Sequence, residues 1–221
     1  FDEYRYFEPA RSFKTLEFKG KKIALTVCED IWNLGNNNPM YTICPLDEMM
    51  EEGFDMIFNL SASPFDYIHA SDRLEVIRAN VNKYKVPLFY VNNYGAQTEI
   101  IFDGGSVVMS PDGSIYDELP YFEKALKIYD LDDVVRGREE QQQTKHSIEL
   151  IYRALILGIR DYFKKMGIQR AILGLSGGID SALTAVLAVH ALGKENVKGL
   201  LMPSEYSSSG SITDAEALAN N

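Results

Sequence analysis

Nine residues, Leu173-Gly-Leu-Ser-Gly-Gly-Ile-Asp-Ser181, constrain this chain more than any other stretch. An apolar run at 171–175 leads into them, an apolar helical stretch at 180–192 follows, and a second apolar run covers 197–202. Strand, Gly-rich turn, helix and strand in that order predict a βαβ unit, and with it an α/β fold built on a parallel sheet. Gly177 and Gly178 permit a tight turn with no Cβ between the backbone amides and whatever lies above them.

Such a corner does more than reverse the chain. The unpaired N–H groups of the helix start converge on one point, where the helix dipole also favours an anion. Ser176 and Ser181 add hydroxyls that can donate to phosphate oxygens. Asp180 repels phosphate, and makes sense as a helix N-cap or as a ligand for a Mg²⁺ ion that bridges phosphates. No Lys follows the glycines, so this is not the kinase-type P-loop. The plain alternative is an ordinary strand–turn–helix corner with no ligand. The SGGxDS pattern resembles the loop of the N-type ATP pyrophosphatases. That likeness implies ATP binding by Gly174, Leu175, Ser176, Gly177, Gly178, Ile179, Asp180 and Ser181, with Asp180 at the metal.

The rest of the chain excludes several functions. Of 221 residues 46% are hydrophobic and 24% charged, enough apolar content for a sizeable core. No apolar stretch approaches the ~20 residues of a membrane span. The net charge of −10 gives no electrostatic footprint for nucleic acid and would repel an anionic membrane face. Two cysteines, Cys28 and Cys44, make no disulfide framework, which favours a reducing, cytoplasmic setting. The three histidines have no zinc-ligand spacing to them.

Before the loop, residues 22–27, 55–60 and 86–92 are short apolar runs that predict buried strands. Residues 45–53 predict a short helix, and 70–85 carries Leu74, Ile77, Val81 and Tyr84 at helical spacing. Hairpin-like pieces follow at 99–102, 105–110 and 115–118, with a last strand at 126–131. Residues 132–145 turn polar and poor in core residues, and are expected to link two domains. A helix at 149–166 opens the second, and another begins near 211.

Cys28 ends the strand 22–27 and precedes Glu29-Asp30-Ile31-Trp32. A thiol at a strand end is placed as a nucleophile would be, yet two neighbouring carboxylates oppose its ionisation. An active thiolate there needs a cation and a base, and the local sequence offers neither. A buried core thiol is the plain alternative.

Three segments, FDEYRYFEP at the start, ALTVCEDIW around Cys28 and NLSASPF after it, resemble in that order the nitrilase superfamily, and most of all the glutaminase domains of glutamine-dependent NAD synthetases. The resemblance implies the C-terminal half of a nitrilase-like αββα sandwich over 1–131, a linker at 132–145, and from 146 to 221 the start of a doubly wound parallel-sheet ATP pyrophosphatase domain. It implies Cys28 as nucleophile, with Glu3 matching a second Glu near the triad. The triad Glu and Lys of the family precede the FDE segment and would fall before residue 1, so the isolated stretch is expected to be inactive. Glu29 would hold the α-amino group of glutamine and its N–H would serve the oxyanion. Trp32 and Phe1 would line the pocket, and Ser63 would touch substrate. Where the family often has Lys or Arg, this chain has His69; either nearby Arg73 substitutes for the cation or glutamine binds more weakly. The stretch Leu201-Met-Pro-Ser-Glu-Tyr-Ser-Ser208 resembles a nucleotide-side segment of the same enzymes, which makes Leu201 and Ser207 candidate adenosine contacts.

Together these likenesses imply an ATP- and Mg²⁺-dependent ligase that turns deamido-NAD into NAD with ammonia from glutamine. Glutamine, ATP and deamido-NAD are then its partners, with neither nucleic acid nor membrane, and the full-length protein is expected to be a homo-oligomer. The rivals are a plain carbon–nitrogen hydrolase with an unrelated nucleotide-binding tail, and a nucleotide-binding regulatory module without chemistry.

Overall fold

A computed structural model describes residues 5–34, 43–67, 69–137, 147–205 and 208–221, with the side chains of 69, 70 and 147 outside the description. The chain divides into two units, one of residues 1–94 and 102–145, the other of 95–101 and 146–221.

The first unit is built on a six-stranded mixed sheet. Its strands are β1 (Leu16–Phe18), β2 (Lys21–Val27), β3 (Met56–Ser61), β4 (Leu88–Asn92), β7 (Val107–Met109) and β8 (Ile115–Glu118), in that spatial order. Between β4 and β7 the chain forms a separate hairpin of β5 (Tyr94–Gln97) and β6 (Ile100–Asp103). The central strands β2, β3 and β4 are parallel, and the flanking pairs antiparallel. Two helices, α1 (Pro45–Glu52) and α2 (His69–Tyr84), form the crossovers between the parallel strands. Pro45 starts α1, where its missing N–H costs nothing.

Strand periodicity decides which residues face the helices. On β2, β3 and β4 the helix-facing row runs Ala24, Ile57 and Leu88, then Thr26, Asn59 and Tyr90, then Ser61 and Asn92. The first row is fully buried and packs with Ile31, Leu46, Met49, Ile77 and Val81 into the main core. Each such aliphatic side chain contributes about 1.5–3 kcal/mol by leaving water. The later rows turn polar, so the core gives way to a hydrogen-bonding layer toward the carboxyl ends of the strands.

The opposite face of the sheet is apolar too. Met56, Phe89 and Val108 pack there with Val134, from α3 (Leu131–Arg136). Here the structure differs from the sequence expectation. Residues 126–131 form no ladder, and the polar stretch that follows starts a helix capped by Asp130, whose carboxylate accepts from the Asp132 N–H. Val134 is fully buried by it.

In the second unit, α4 (Ser147–Met166) is followed by β9 (Ala171–Gly174), α5 (Ile179–Leu192) and β10 (Val197–Leu200). β9 and β10 pair in parallel, completing the βαβ unit predicted from sequence. A last helix, α6 (Ser209–Asn220), begins with Ser208, whose hydroxyl accepts from the Ser211 N–H. No helix among the described residues is long and apolar enough to cross a membrane.

Candidate active sites

At the end of β2 the backbone bends sharply into a single 3-10 turn, Cys28–Ile31. Cys28 itself carries the bend, with φ +49°. A side chain in this left-handed region costs roughly 1–2 kcal/mol, and such strain gathers at functional positions. Two bonds hold the bend. The Asp30 carboxylate turns back to accept from the Val27 N–H at 2.8 Å, and the buried Asn59 amide donates to the Cys28 carbonyl at 3.1 Å. Burial raises the Asp30 pKa above the ordinary carboxylate value, the Val27 bond acting against it. Asp30 thus turns back onto the backbone of its own turn.

Cys28 is half-buried and, like Cys44, forms no disulfide. It opens onto a cavity of about 450 Å³ lined by Glu29, Trp32, Ser61, Ser63, Phe65 and Tyr90, among others. Three sequence-predicted residues, Glu29, Trp32 and Ser63, thus meet around the thiol. Glu29 is exposed, Trp32 also packs against the main core, and Ser63 is buried. Glu3, Phe1 and the His69 side chain lie outside the described residues.

Arg73 is the exception. Its guanidinium does not line the cavity but is buried, 2% exposed, in a two-pronged pair with Asp103 at 3.1 and 2.9 Å. Burial works against its charge, and the Asp103 hydrogen bonds and charge more than offset this, holding the group above its ordinary range. A cation so neutralised is not available to a substrate carboxylate, so the expectation that Arg73 substitutes at His69 does not hold.

Tyr90 lines the same cavity and was not anticipated. Burial pushes its hydroxyl upward, while hydrogen bonds from Ser61 and Ser63 and the Arg73 charge pull the other way. Arg73 also stands over the Tyr90 ring, 5.6 Å from its centroid. The available signal was a polar residue inside each apolar strand run, Asn59 in one and Tyr90 with Asn92 in the other. Cys44 belongs elsewhere, buried against Tyr84 with its Sγ 3.5 Å from the hydroxyl.

The second site is the turn between β9 and α5. The Leu175 N–H donates to the Leu200 carbonyl, which ties the loop to β10. Ser176 Oγ and Ser181 Oγ are 3.1 Å apart, the Ser176 N–H donates to Ser181 Oγ, and Gly178 N–H donates to Ser176 Oγ. Gly177 has φ +80°, a conformation that favours glycine. The N-cap is Gly178 and the helix begins at Ile179. Asp180 therefore sits within the first turn, so its N-cap reading fails and its carboxylate stands exposed at the helix start. Among the described residues no three His, Cys, Asp or Glu side chains gather as a metal cluster. Leu201 is partly exposed just beyond β10, and Ser207 lies outside the described residues.

A thiol on a strained strand end and a Gly-Ser loop at a helix start therefore stand in one chain. Residues 151–221 match the NAD synthase family. Over its whole length the chain is 43% identical to the glutamine-dependent NAD(+) synthetase of a Synechocystis species, and 36% identical to that of Thermotoga maritima. It spans 40% and 43% of the length of those relatives. The structure of a glutamine-dependent NAD+ synthetase from Acinetobacter baumannii, in complex with adenosine diphosphate, superposes with a TM-score of 0.86 at 33% identity, covering 98% of this chain and 40% of that one. From end to end, then, the chain is similar to a part of the glutamine-dependent NAD(+) synthetases, and residues 151–221 match the NAD synthase family model.

Proposed function

We propose that the full-length protein makes NAD from deamido-NAD, ATP and glutamine. What supports this best is the whole-length likeness to glutamine-dependent NAD(+) synthetases, joined to a nucleophile-like Cys28 and a phosphate-ready loop in one chain. We read the six-stranded sheet as one sheet of a nitrilase-type αββα sandwich, residues 1–131 together with α3 as the glutaminase part, the remainder of 132–145 as the link, and the βαβ unit as the start of a doubly wound synthetase domain.

In the first unit, Cys28 Sγ attacks the side-chain carbonyl carbon of glutamine. The Glu29 N–H, at the first turn of the 3-10 helix, faces the oxyanion that forms. The C–N bond then breaks, ammonia leaves with the thiol proton, and a thioester remains on Cys28. Water cleaves the thioester to glutamate and restores the thiol. Glu29, Ser63 and Trp32 hold the amino acid in the cavity; the roles expected of Phe1, Glu3 and His69 fall outside the described residues.

In the second unit the deamido-NAD carboxylate attacks the α-phosphorus of ATP, and the bond to the β-phosphate breaks. Pyrophosphate stays in the cradle of Ser176, Gly177, Gly178 and Ser181, where the two hydroxyls, and the Ser176 and Gly178 N–H groups that otherwise bond to them, would turn to its charge. Gly174, Leu175, Ile179, Leu201 and Ser207 border the nucleotide. Ammonia displaces AMP from the adenylate to give the amide. Adenylation is needed because a bare carboxylate has no good leaving group. The exposed Asp180 suits Mg²⁺, which takes one or two carboxylates and otherwise phosphate oxygens and water. When bound, the ion would neutralise phosphate charge.

The test uses the full-length protein with Cys28→Ala beside wild type, glutamine and ammonia being supplied in turn. The expected outcome is loss of the glutamine reaction with the ammonia reaction kept. Absence of NAD formation from either source in the wild type sinks the synthetase reading.

A further inference from the structure

Two buried asparagines on neighbouring strands, Asn59 on β3 and Asn92 on β4, reach the two walls of the Cys28 cavity separately. Asn59 is fully buried and its Nδ2 donates twice, to the Cys28 carbonyl at 3.1 Å and to Thr26 Oγ1 at 3.0 Å. Thr26 in turn donates to the Phe58 carbonyl, and Ser61 Oγ donates to Asn59 Oδ1 at 2.6 Å. The amide uses both its donors, is bonded at its oxygen as well, and clamps the residue that carries the positive φ.

Asn92 serves the opposite wall. Its Oδ1 accepts from the Ser63 N–H at 2.9 Å, while Nδ2 donates to Asp103 Oδ1 at 2.7 Å and to the Gly104 carbonyl at 2.9 Å. Both partners of Nδ2 are acceptors and the partner of Oδ1 is a donor, so only one amide orientation satisfies all three. Asp103 is fixed by the Arg73 fork. The buried ion pair thus reaches the cavity through Asn92, as the rigid base of the Ser63 segment.

Hydrogen bonds of this kind bring no reacting atom into play. They decide where reacting and binding atoms stand, and a misplacement of ~1 Å lowers rates steeply. We propose that Asn59 and Asn92 are positioning residues with divided tasks: Asn59 holds the Cys28 elbow in its strained, attacking conformation, and Asn92 holds the Ser63 wall that binds the substrate. The inference rests on the glutaminase reading of the cavity.

The divided tasks give opposite kinetic signatures. In the full-length protein Asn59→Ala should lower kcat for glutamine about tenfold or more with KM changed little, since the Cys28 carbonyl and the Thr26 hydroxyl lose their shared donor and the elbow loosens. Asn92→Ala should raise KM for glutamine by about tenfold or more with kcat changed little, on the same reasoning. Ammonia-dependent synthesis, which bypasses Cys28, reports whether the remainder of the molecule is intact. Should either alanine variant fail to fold, Thr26→Val and Arg73→Lys loosen the same two clamps more gently and carry the same pair of signatures. Equal changes in kcat and KM for both, or a lowered Tm with neither parameter moved, overturns the proposal. A Cys28→Ala protein that still uses glutamine would instead remove the glutaminase reading beneath it.

Discussion

Gly177 offers the sharpest test of the nucleotide loop. Its φ is +80°, and a Cβ added there would lie 2.2 Å from the Ser211 carbonyl oxygen, 2.6 Å from its Cα and 2.8 Å from its carbonyl carbon. Ordinary contact begins at 3.4 Å, so about 1.2 Å must open between two backbone segments that cannot rotate away as a side-chain tip would. The left-handed φ adds about 1–2 kcal/mol for alanine, and forced overpacking about 1–3 kcal/mol. Gly177→Ala therefore disfavours the present loop by about 2–5 kcal/mol. If ATP needs this loop, that converts to a loss of affinity of about 30-fold to a few thousand-fold. Calorimetric titration of the full-length protein with ATP measures it, and two neighbours calibrate it. A Cβ at Gly178, where φ is −88°, meets only the rotatable Ser176 hydroxyl at 3.3 Å, so Gly178→Ala should cost less than about tenfold. A Cβ at Gly210 meets nothing closer than 3.9 Å, so Gly210→Ala should bind as wild type. ATP affinity within threefold of wild type for Gly177→Ala would show, at about 0.7 kcal/mol or less, that the nucleotide does not use this loop conformation.

Three further outcomes concern the first unit, each read by unfolding of the full-length protein. Asp30→Asn keeps an acceptor for the Val27 N–H but removes a carboxyl whose folded pKa burial raises above 3.8. Ionising that carboxyl disfavours the folded state, so wild type and variant should match in acid and the variant should gain stability as pH rises above 3.8; a gap that shrinks over that range would contradict the sign. Arg73→Ala leaves the Asp103 charge buried without its cation and should cost about 3–5 kcal/mol, whereas the double change Arg73→Met with Asp103→Asn, which keeps an acceptor for Asn92, should recover most of it; equal losses would place the cost in packing rather than charge. Val134→Ala removes two methyl groups from a fully buried site and should cost about 1.5–3 kcal/mol, and a loss under about 0.5 kcal/mol would mean that α3 is not part of the core.

The parallel strands and the helices between them were legible because burial on both faces leaves a continuous apolar run, and because Ile77 and Val81 repeat at helical spacing. The strand–turn–helix corner at Gly177 was legible because glycine tolerates such a turn best. What escaped was set by long-range pairing. Nothing near Arg73 announces Asp103, which stands thirty residues on and takes up the cation that the sequence offered to substrate. In 131–136 a helix was hidden by acidic residues around one inward valine, and composition averages over the single side chain that counts. Asn59 and Asn92 are polar residues within apolar runs, a signal that marks a buried hydrogen bond without naming its partner. The helix start fell one residue early, at Ile179, because a glycine with extended backbone took the capping position.

The positive φ at Cys28 also bears on how the first unit can change over generations. Of the twenty residues only glycine adopts that backbone without strain. Cys28→Gly should therefore be about 1 kcal/mol more stable than Cys28→Ala. Selection for stability alone pulls this position toward glycine and away from cysteine. A chain freed from the need for glutamine would be expected to drift there, keeping its sheet and its Asn59 clamp around an elbow with no thiol.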